Sequence, residues 1–177
     1  SKVFTNRHHN SRILAYTNRR VMEYNDHIRQ LRGLPDHFTQ FELLVCNTPY
    51  QGKHNRIMAE EEVYISKVGK KFFLKFDGVE LEVAEYTLIG QFGFHNVLIP
   101  LNREHYEALC KYYRKQKNWK LYYDLKEMFP DLRPRDAATI HKAQGSTYDQ
   151  VFIDLSDLST CRNPDMAARL LYVAFSR

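Results

Sequence analysis

Glycine and proline are scarce here, seven and six among 177 residues. Too few are present for a flexible linker or a low-complexity tract, and the chain has no internal repeat. Cysteine is scarcer still. Cys46, Cys110 and Cys161 are far apart and odd in number, which argues against a disulfide framework and for a reducing, cytoplasmic setting. No apolar run approaches the roughly 20 residues that span a bilayer, and no signal-peptide pattern opens the sequence, so no membrane partner is expected. The eight histidines do not fall at metal-ligand spacing, and His8-His9 reads as a surface pair; no metal site is expected. The phosphate-cradling loop Gly-x-x-x-x-Gly-Lys-Ser/Thr is absent too. Gly52-Lys53 and Gly69-Lys70 are the only Gly-Lys pairs, and neither has the upstream glycine or the following hydroxyl. No Asp-Glu dipeptide offers itself as a Mg²⁺ ligand. The chain by itself is expected to hold no Mg-ATP in the usual manner and to show no ATPase activity.

The composition is otherwise that of a globular protein, 44% hydrophobic and 27% charged. Its length suits one domain, or one domain carrying a small insertion. A net charge of +5 fits a nucleic-acid partner without requiring one. Aromatic content is high at 14%, including 12 tyrosines.

Hydrophobic periodicity divides the chain into three textures. Arg12–Thr17 reads as a short buried strand. A helix follows from about Arg19 to Arg32, with Val21, Tyr24, Ile28 and Leu31 at helical spacing, Asn18 as N-cap and Gly33 with Pro35 as the stop. From Phe38 the pattern turns to short β segments: Phe41–Val45, Glu62–Val68, Lys71–Phe76, Val79–Ala84 and Phe92–Leu101. Gly69-Lys70 and Asp77-Gly78 are expected as hairpin turns between them, and the whole as a small antiparallel barrel. Asn102–Phe129 reads as a helical arm capped by Asn102 and broken near Asn118-Trp119. The α/β texture returns at Ala137, with a strand at Ala137–Ile140, a helical turn at His141–Gln144 and a buried strand at Gln150–Leu155. A last helix is capped by Asn163 and opened by Pro164 and Asp165.

Three stretches carry the chemistry. In Ala137–Asp149 a strand end is followed by a polar turn closing on Gly145-Ser146, which sets backbone N–H groups and small hydroxyls at a sheet edge where open α/β folds bind ligands. Thr139, His141, Lys142 and Gln144 add hydrogen bonds or charge there. Arg177 closes the stretch Arg169–Arg177. A guanidinium brought to a transferring phosphoryl group is worth about 10³–10⁵ in rate, although a helix-end arginine also serves the dipole alone. Leu14–Arg20 puts Asn18, Arg19 and Arg20 after a strand, with a plain N-cap as the other role for Asn18. Tyr106–Lys126 mixes tyrosines with lysines as single-strand binders do. We read it instead as a packed arm whose tyrosines form its core and whose lysines are solvated.

Ala137–Asp149 and Arg169–Arg177 resemble motifs V and VI of superfamily 1 helicases, and Leu14–Arg20 resembles motif IV. The likeness is to the RecD-like branch, superfamily 1B, and within it to the Dda-like helicases of T-even bacteriophages. It implies a RecA-like α/β domain at 1–37 and 131–177, interrupted by an SH3-like barrel at 38–101 and a tower-like helical arm at 102–130. It further implies the C-terminal part of an ATP-dependent DNA helicase moving 5′ to 3′ on single-stranded DNA. Thr139, His141, Lys142 and Gln144 would meet the DNA backbone. Gly145, Ser146 and Thr147 would lie near the nucleotide, with Asn18 and Arg19 or Arg20. Arg177 would be the arginine finger. ATP and Mg²⁺ would be held mainly by another RecA-like domain of the same protein, and replication or recombination proteins are implied as partners. Two departures stand out. Many relatives outside the Dda-like branch have a glutamate where Thr147 stands, and some relatives have an arginine where Tyr16 stands. The alternative is a non-catalytic nucleic-acid-binding module of the same architecture.

Overall fold

A computed structural model describes residues 10–52 and 56–176. Chain order runs β1 (Ser11–Ala15), α1 (Asn18–Leu31), β2 (Leu43–Cys46), β3 (Tyr50–Gln51), β4 (Arg56–Ile57), β5 (Glu62–Phe76), β6 (Val79–Gly90) and β7 (Gly93–Pro100). It continues with α2 (Arg103–Lys115), α3 (Trp119–Met128), β8 (Leu132–Pro134), β9 (Ala137–Thr139), β10 (Gln150–Ile153), α4 (Leu155–Leu158) and α5 (Pro164–Phe175). Two compact units result. Ser1–Pro35 with Pro134–Arg177 make one, and Asp36–Arg133 make the other.

In the first unit β1 lies between β10 and β9, parallel to both. Parallel strands need crossovers, and α1 and the turn after β9 supply them. Leu14, Ile140, Ala143, Leu158, Leu170 and Ala174 form one core cluster, and Ala15, Val21 and Ala137 another. Each fully buried Leu or Ile there contributes about 1.5–3 kcal/mol. Helix α1 is capped by Thr17 rather than Asn18, because the Thr17 hydroxyl accepts the Arg20 N–H at 3.2 Å. Gly33 follows the helix at φ +69°, the left-handed turn that glycine tolerates best. Strand β10 stops at Ile153, short of Leu155, since Asp154 turns the chain into α4 by capping it. Asn163 caps α5 through the Met166 N–H.

The second unit is built on a five-stranded sheet in the order β7-β6-β5-β2-β8. Among the described residues this order is open, with no pairing that closes it into a barrel. The expected segments Glu62–Val68 and Lys71–Phe76 are one strand. Gly69-Lys70 is therefore no hairpin turn but sits at a register shift against β6. Its glycine answers close approach: a Cβ there would lie 3.0 Å from the Glu85 Cβ. Asp77 and Gly78 do turn the chain, at φ +46° and +79°, as a type I′ hairpin requires. The second hairpin turn, between Gly90 and Gly93, escaped sequence patterning.

Strand β6 is apolar on both faces. Ala84, Tyr86 and Leu88 pack with Leu44, Ile57, Val63 and Ile65. Leu81 and Val83 point the other way, under α2 and α3, with Leu109, Tyr113, Leu125 and Phe129. The Tyr113 hydroxyl donates to Asp77 at 3.0 Å; burial first, and that carboxylate second, push its pKa up to about 12. Further along the same face the helices end, and Leu43, Tyr64, Ile89 and Phe94 form an exposed cross-strand row. The arm's aromatics divide likewise. Tyr106 and Tyr113 belong to its core, but Tyr112, Trp119 and Tyr123 are exposed. The expectation of a tyrosine core holds for only part of the set.

One buried polar cluster ties this sheet together. Glu61 accepts the Gln91 N–H at 2.9 Å and the Met58 N–H at 2.8 Å. Buried His95 has its Nε2 3.9 Å from Glu61 Oε1, too far for a hydrogen bond. A Cβ on Gly90 would press into that Glu61 oxygen and the His95 ring. Gly90→Ala should thus displace a buried carboxylate from its donors and cost about 1–3 kcal/mol. Gly33→Ala, with open space around it and only backbone strain to pay, should cost about 1 kcal/mol. Urea unfolding of both variants checks the order; equal losses would mean that Glu61 moves aside freely.

Candidate functional site

The C-terminal ends of β1, β9 and β10 meet at one edge of the parallel sheet. Ala15 is in register with Thr139, the Ile140 N–H reaches the Ala15 carbonyl at 2.9 Å, and the Asp154 N–H reaches that of Leu14 at 2.9 Å. Such an edge is where open α/β sheets take ligands.

Asp157 organises this edge. It is buried, and its carboxylate accepts the backbone N–H groups of Tyr16 and Thr17 at 2.7 Å each and the Thr17 hydroxyl at 2.9 Å. Thr17 is therefore held at both ends, by Asp157 and as cap of α1. Asp154 holds the next layer. It accepts from Arg20 Nε and from the Tyr24 hydroxyl, each at 2.8 Å, and from the Asp157 N–H at 3.0 Å. Arg20 also pairs with Glu23 at 2.9 Å and lies over the Tyr24 ring, 4.8 Å from its centroid. Burial opposes ionisation of Asp154, but the bonds from Arg20, the Asp157 N–H and Tyr24 outweigh it and hold the carboxyl below its ordinary range. The Tyr16 hydroxyl, hydrogen-bonded to the Cys161 thiol, is raised above the usual phenol range.

The motif turn starts at Thr139. Its carbonyl accepts the N–H groups of Lys142 and Ala143 at 3.0 and 3.1 Å, and its buried hydroxyl lies 3.4 Å from the Lys142 nitrogen. Thr139 thus spends its side chain inside the turn. Ile140 and Ala143 are fully buried and anchor the turn in the core, which leaves His141 and Gln144 exposed and Lys142 half-buried. The His141 ring stands 6.4 Å from that of Tyr16, so residues of Leu14–Arg20 and of Ala137–Asp149 share this edge. Gly145 reverses the chain at φ +91° with nothing crowding its missing Cβ; the requirement is backbone shape.

Beyond Gly145 the chain leaves the edge. The Thr147 carbonyl accepts from Asn10, and the Asp149 N–H donates to the Asn10 carbonyl. Asn10 precedes β1, whereas Asn18, Arg19 and Arg20 follow it. Five strand residues, about 16 Å, separate Thr147 from Asn18. Of the six residues grouped near the nucleotide, Thr147 and Asn18 thus stand toward opposite ends of β1. Among them Arg20 is engaged by Asp154, while Arg19 has an 81% exposed side chain that pairs only with neighbouring Glu23. Arg177 lies outside the described residues, as do His8 and His9. Among the described residues no group of His, Cys, Asp or Glu could hold a metal ion.

Sequence reasoning missed Asp154 and Asp157. Their spacing, an acid at the cap and another three residues on, is a helix-start signal. Their long-range partners had no local signature.

Two outcomes test this geometry. Asp157→Ala removes a charged acceptor from three donors, each such bond being worth about 1.5–3 kcal/mol. Unfolding in urea should report a loss of at least about 3 kcal/mol, and a loss under about 1 would mean that water replaces the carboxylate. The second outcome is pH-dependent. The folded-state Asp154 carboxyl is held below its unfolded value of about 3.9, so its contribution is present above that pH and drains as pH falls through the folded value. Stability measured from pH 6 to 2 should show this limb, and Asp154→Asn should flatten it.

Residues 136–177 match the family model described as the UvrD-like helicase C-terminal domain. No curated protein matches the chain. The match takes in the motif turn, β10 and α5 but not β1, α1 or the middle unit, so what is established is a stretch similar to a helicase C-terminal domain.

Proposed function

We propose that this chain is the C-terminal motor part of an ATP-dependent DNA helicase of superfamily 1B, RecD-like and closest to the Dda helicases of T-even bacteriophages. The observation that carries the reading is the hydrogen-bonded turn Thr139–Gly145 at the C-terminal edge of a parallel sheet, inside the stretch that matches a helicase C-terminal domain. The first unit is then RecA-like domain 2A, and the middle unit an SH3-like insertion with a tower-like arm. Helix α5 leaves Tyr172 and Phe175 exposed, three positions apart on one face, an apolar pair suited to burial against a further domain.

In this reading His141, Lys142 and Gln144 meet the backbone of single-stranded DNA, while Thr139 shapes their turn. Arg19 is the better of the two motif IV arginines for a phosphate, since Arg20 is tied to Asp154. ATP with Mg²⁺ supplies the energy of translocation and is held mainly by the partner RecA-like domain, which brings the P-loop absent here. Arg177 is the finger that completes the nucleotide site. Travel is 5′ to 3′, in the cytoplasm, alongside replication or recombination proteins.

Backbone contacts are electrostatic and blind to sequence. In the full enzyme Lys142→Ala should weaken single-strand binding equally for unrelated oligonucleotides and lower the salt slope by about one unit. DNA-stimulated ATPase should fall with it. An unchanged slope would make the turn a structural element. Arg177→Ala should keep DNA binding and lose at least about two orders of magnitude in ATP hydrolysis; turnover within a few-fold of wild type would reduce Arg177 to a helix-end charge.

A further inference from the structure

The helical arm carries a surface that the motor reading does not use. Between Lys111 and Tyr123 the sequence holds Lys111, Arg114, Lys115, Lys117 and Lys120 and no acidic residue. All five are exposed, and none joins an ion pair among the described residues. The arm's one ion pair there, Arg103 with Glu107, lies outside this segment. Folding gains nothing from five unpaired like charges on a helix and its turn, since like charges in adjacent turns repel.

The aromatics of the same segment are unexpectedly open. Tyr112, Trp119 and Tyr123 are 55%, 49% and 56% exposed, while Tyr113 alone is buried. Trp119 and Tyr123 are four residues apart on α3, on one helix face and about 6 Å apart along its axis. Tyr122 packs edge-on against both rings, at 6.1 and 5.2 Å, so they are braced rather than loose. The turn itself is set, with Lys117 at φ +55° and Asn118 capping α3 through the Leu121 N–H. A water-exposed tryptophan among cations costs solvation and stabilises no core. Both features answer one kind of ligand: phosphates for the cations, and unstacked bases for the rings. A duplex would satisfy the charges but offer the rings no free base face.

We infer that the tip of the helical arm, Tyr112, Trp119 and Tyr123 within the basic cluster Lys111–Lys120, binds single-stranded nucleic acid by stacking bases on its rings. The site belongs to the middle unit and does not depend on the helicase assignment.

Trp119 is the only tryptophan, so its fluorescence reports on this site alone. Titrating the chain with an oligo(dT) at low salt should quench that emission saturably. Lys117→Ala with Lys120→Ala should weaken the quenching affinity at least about tenfold at 50 mM salt and lower the salt slope by about 1.4, at about 0.7 per phosphate contact on a single strand. Both lysines are exposed, so folding is not at risk; circular dichroism confirms it. Tyr123→Ala should weaken binding while leaving the salt slope unchanged, because it removes stacking and not charge. Arg162→Ala, an exposed cation of the first unit, should leave the quenching curve as it is, which shows that the loss is specific to the arm. Absence of quenching by oligo(dT) would overturn the inference. Equal quenching by a blunt duplex or by polyglutamate would overturn it as well, since the surface would then be a site for polyanions or an acidic protein.

Discussion

The C-terminal edge of the parallel sheet depends on one buried carboxylate. Asp157 gathers the Tyr16 and Thr17 N–H groups and the Thr17 hydroxyl onto a single charged acceptor. These are the first residues beyond β1, where the ladder ends and backbone donors would be left unsatisfied. Holding them fixes where α1 begins, because Thr17 is also its cap. It thereby fixes Arg19 and Arg20. Asp154 repeats the device one layer out, joining the end of β10 to Arg20 and Tyr24. Two acids three residues apart on one short helix thus position the start of another helix that precedes them by more than a hundred residues.

The same logic explains the motif turn. A turn that directs polar side chains outward needs apolar anchors of its own. In Ile140–Gly145 every third position goes inward, Ile140 and Ala143 being fully buried, and the positions between go outward. Thr139 gives up its side chain to the turn. His141 and Gln144 are then exposed, and Lys142 half-exposed, on a turn anchored in the core by Ile140 and Ala143.

Much of this was legible from residues. Helix ends marked by Asn102, Asn163 with Pro164, and Asp77-Gly78 as a turn follow from local chemistry, and local chemistry is what sequence records. The misreadings have different causes. Gly69 reads as a turn by local chemistry but is required by the nearness of Glu85, remote in sequence. Asn18 reads as a cap, but the adjacent Thr17 takes that place because its hydroxyl accepts the Arg20 N–H. The placement of Thr147 likewise rests on a remote contact, since its bond with Asn10 shows that β1 lies between it and Asn18. Arg177 and the two-layer Asp154–Asp157 anchor mark the two limits: a residue legible by motif but outside the described structure, and residues decisive in the structure but silent in the motif.

The two units make opposite use of their aromatic residues. In the first, Tyr24 and Tyr148 are paired with arginines, Arg20 and Arg12, lying over their rings at 4.8 and 5.1 Å. Charge there is neutralised or spread over a ring. Along the arm of the second unit the cations of the tip have no carboxylate partner among the described residues, and the rings beside them are braced by other rings instead. A cation paired inside the protein gives little to an incoming phosphate, because its partner must be displaced first; an unpaired one gives its full attraction, screened only by salt. By that measure Arg20 is structural, Arg19 stands between, and the cations at the arm's tip are open to an anionic strand.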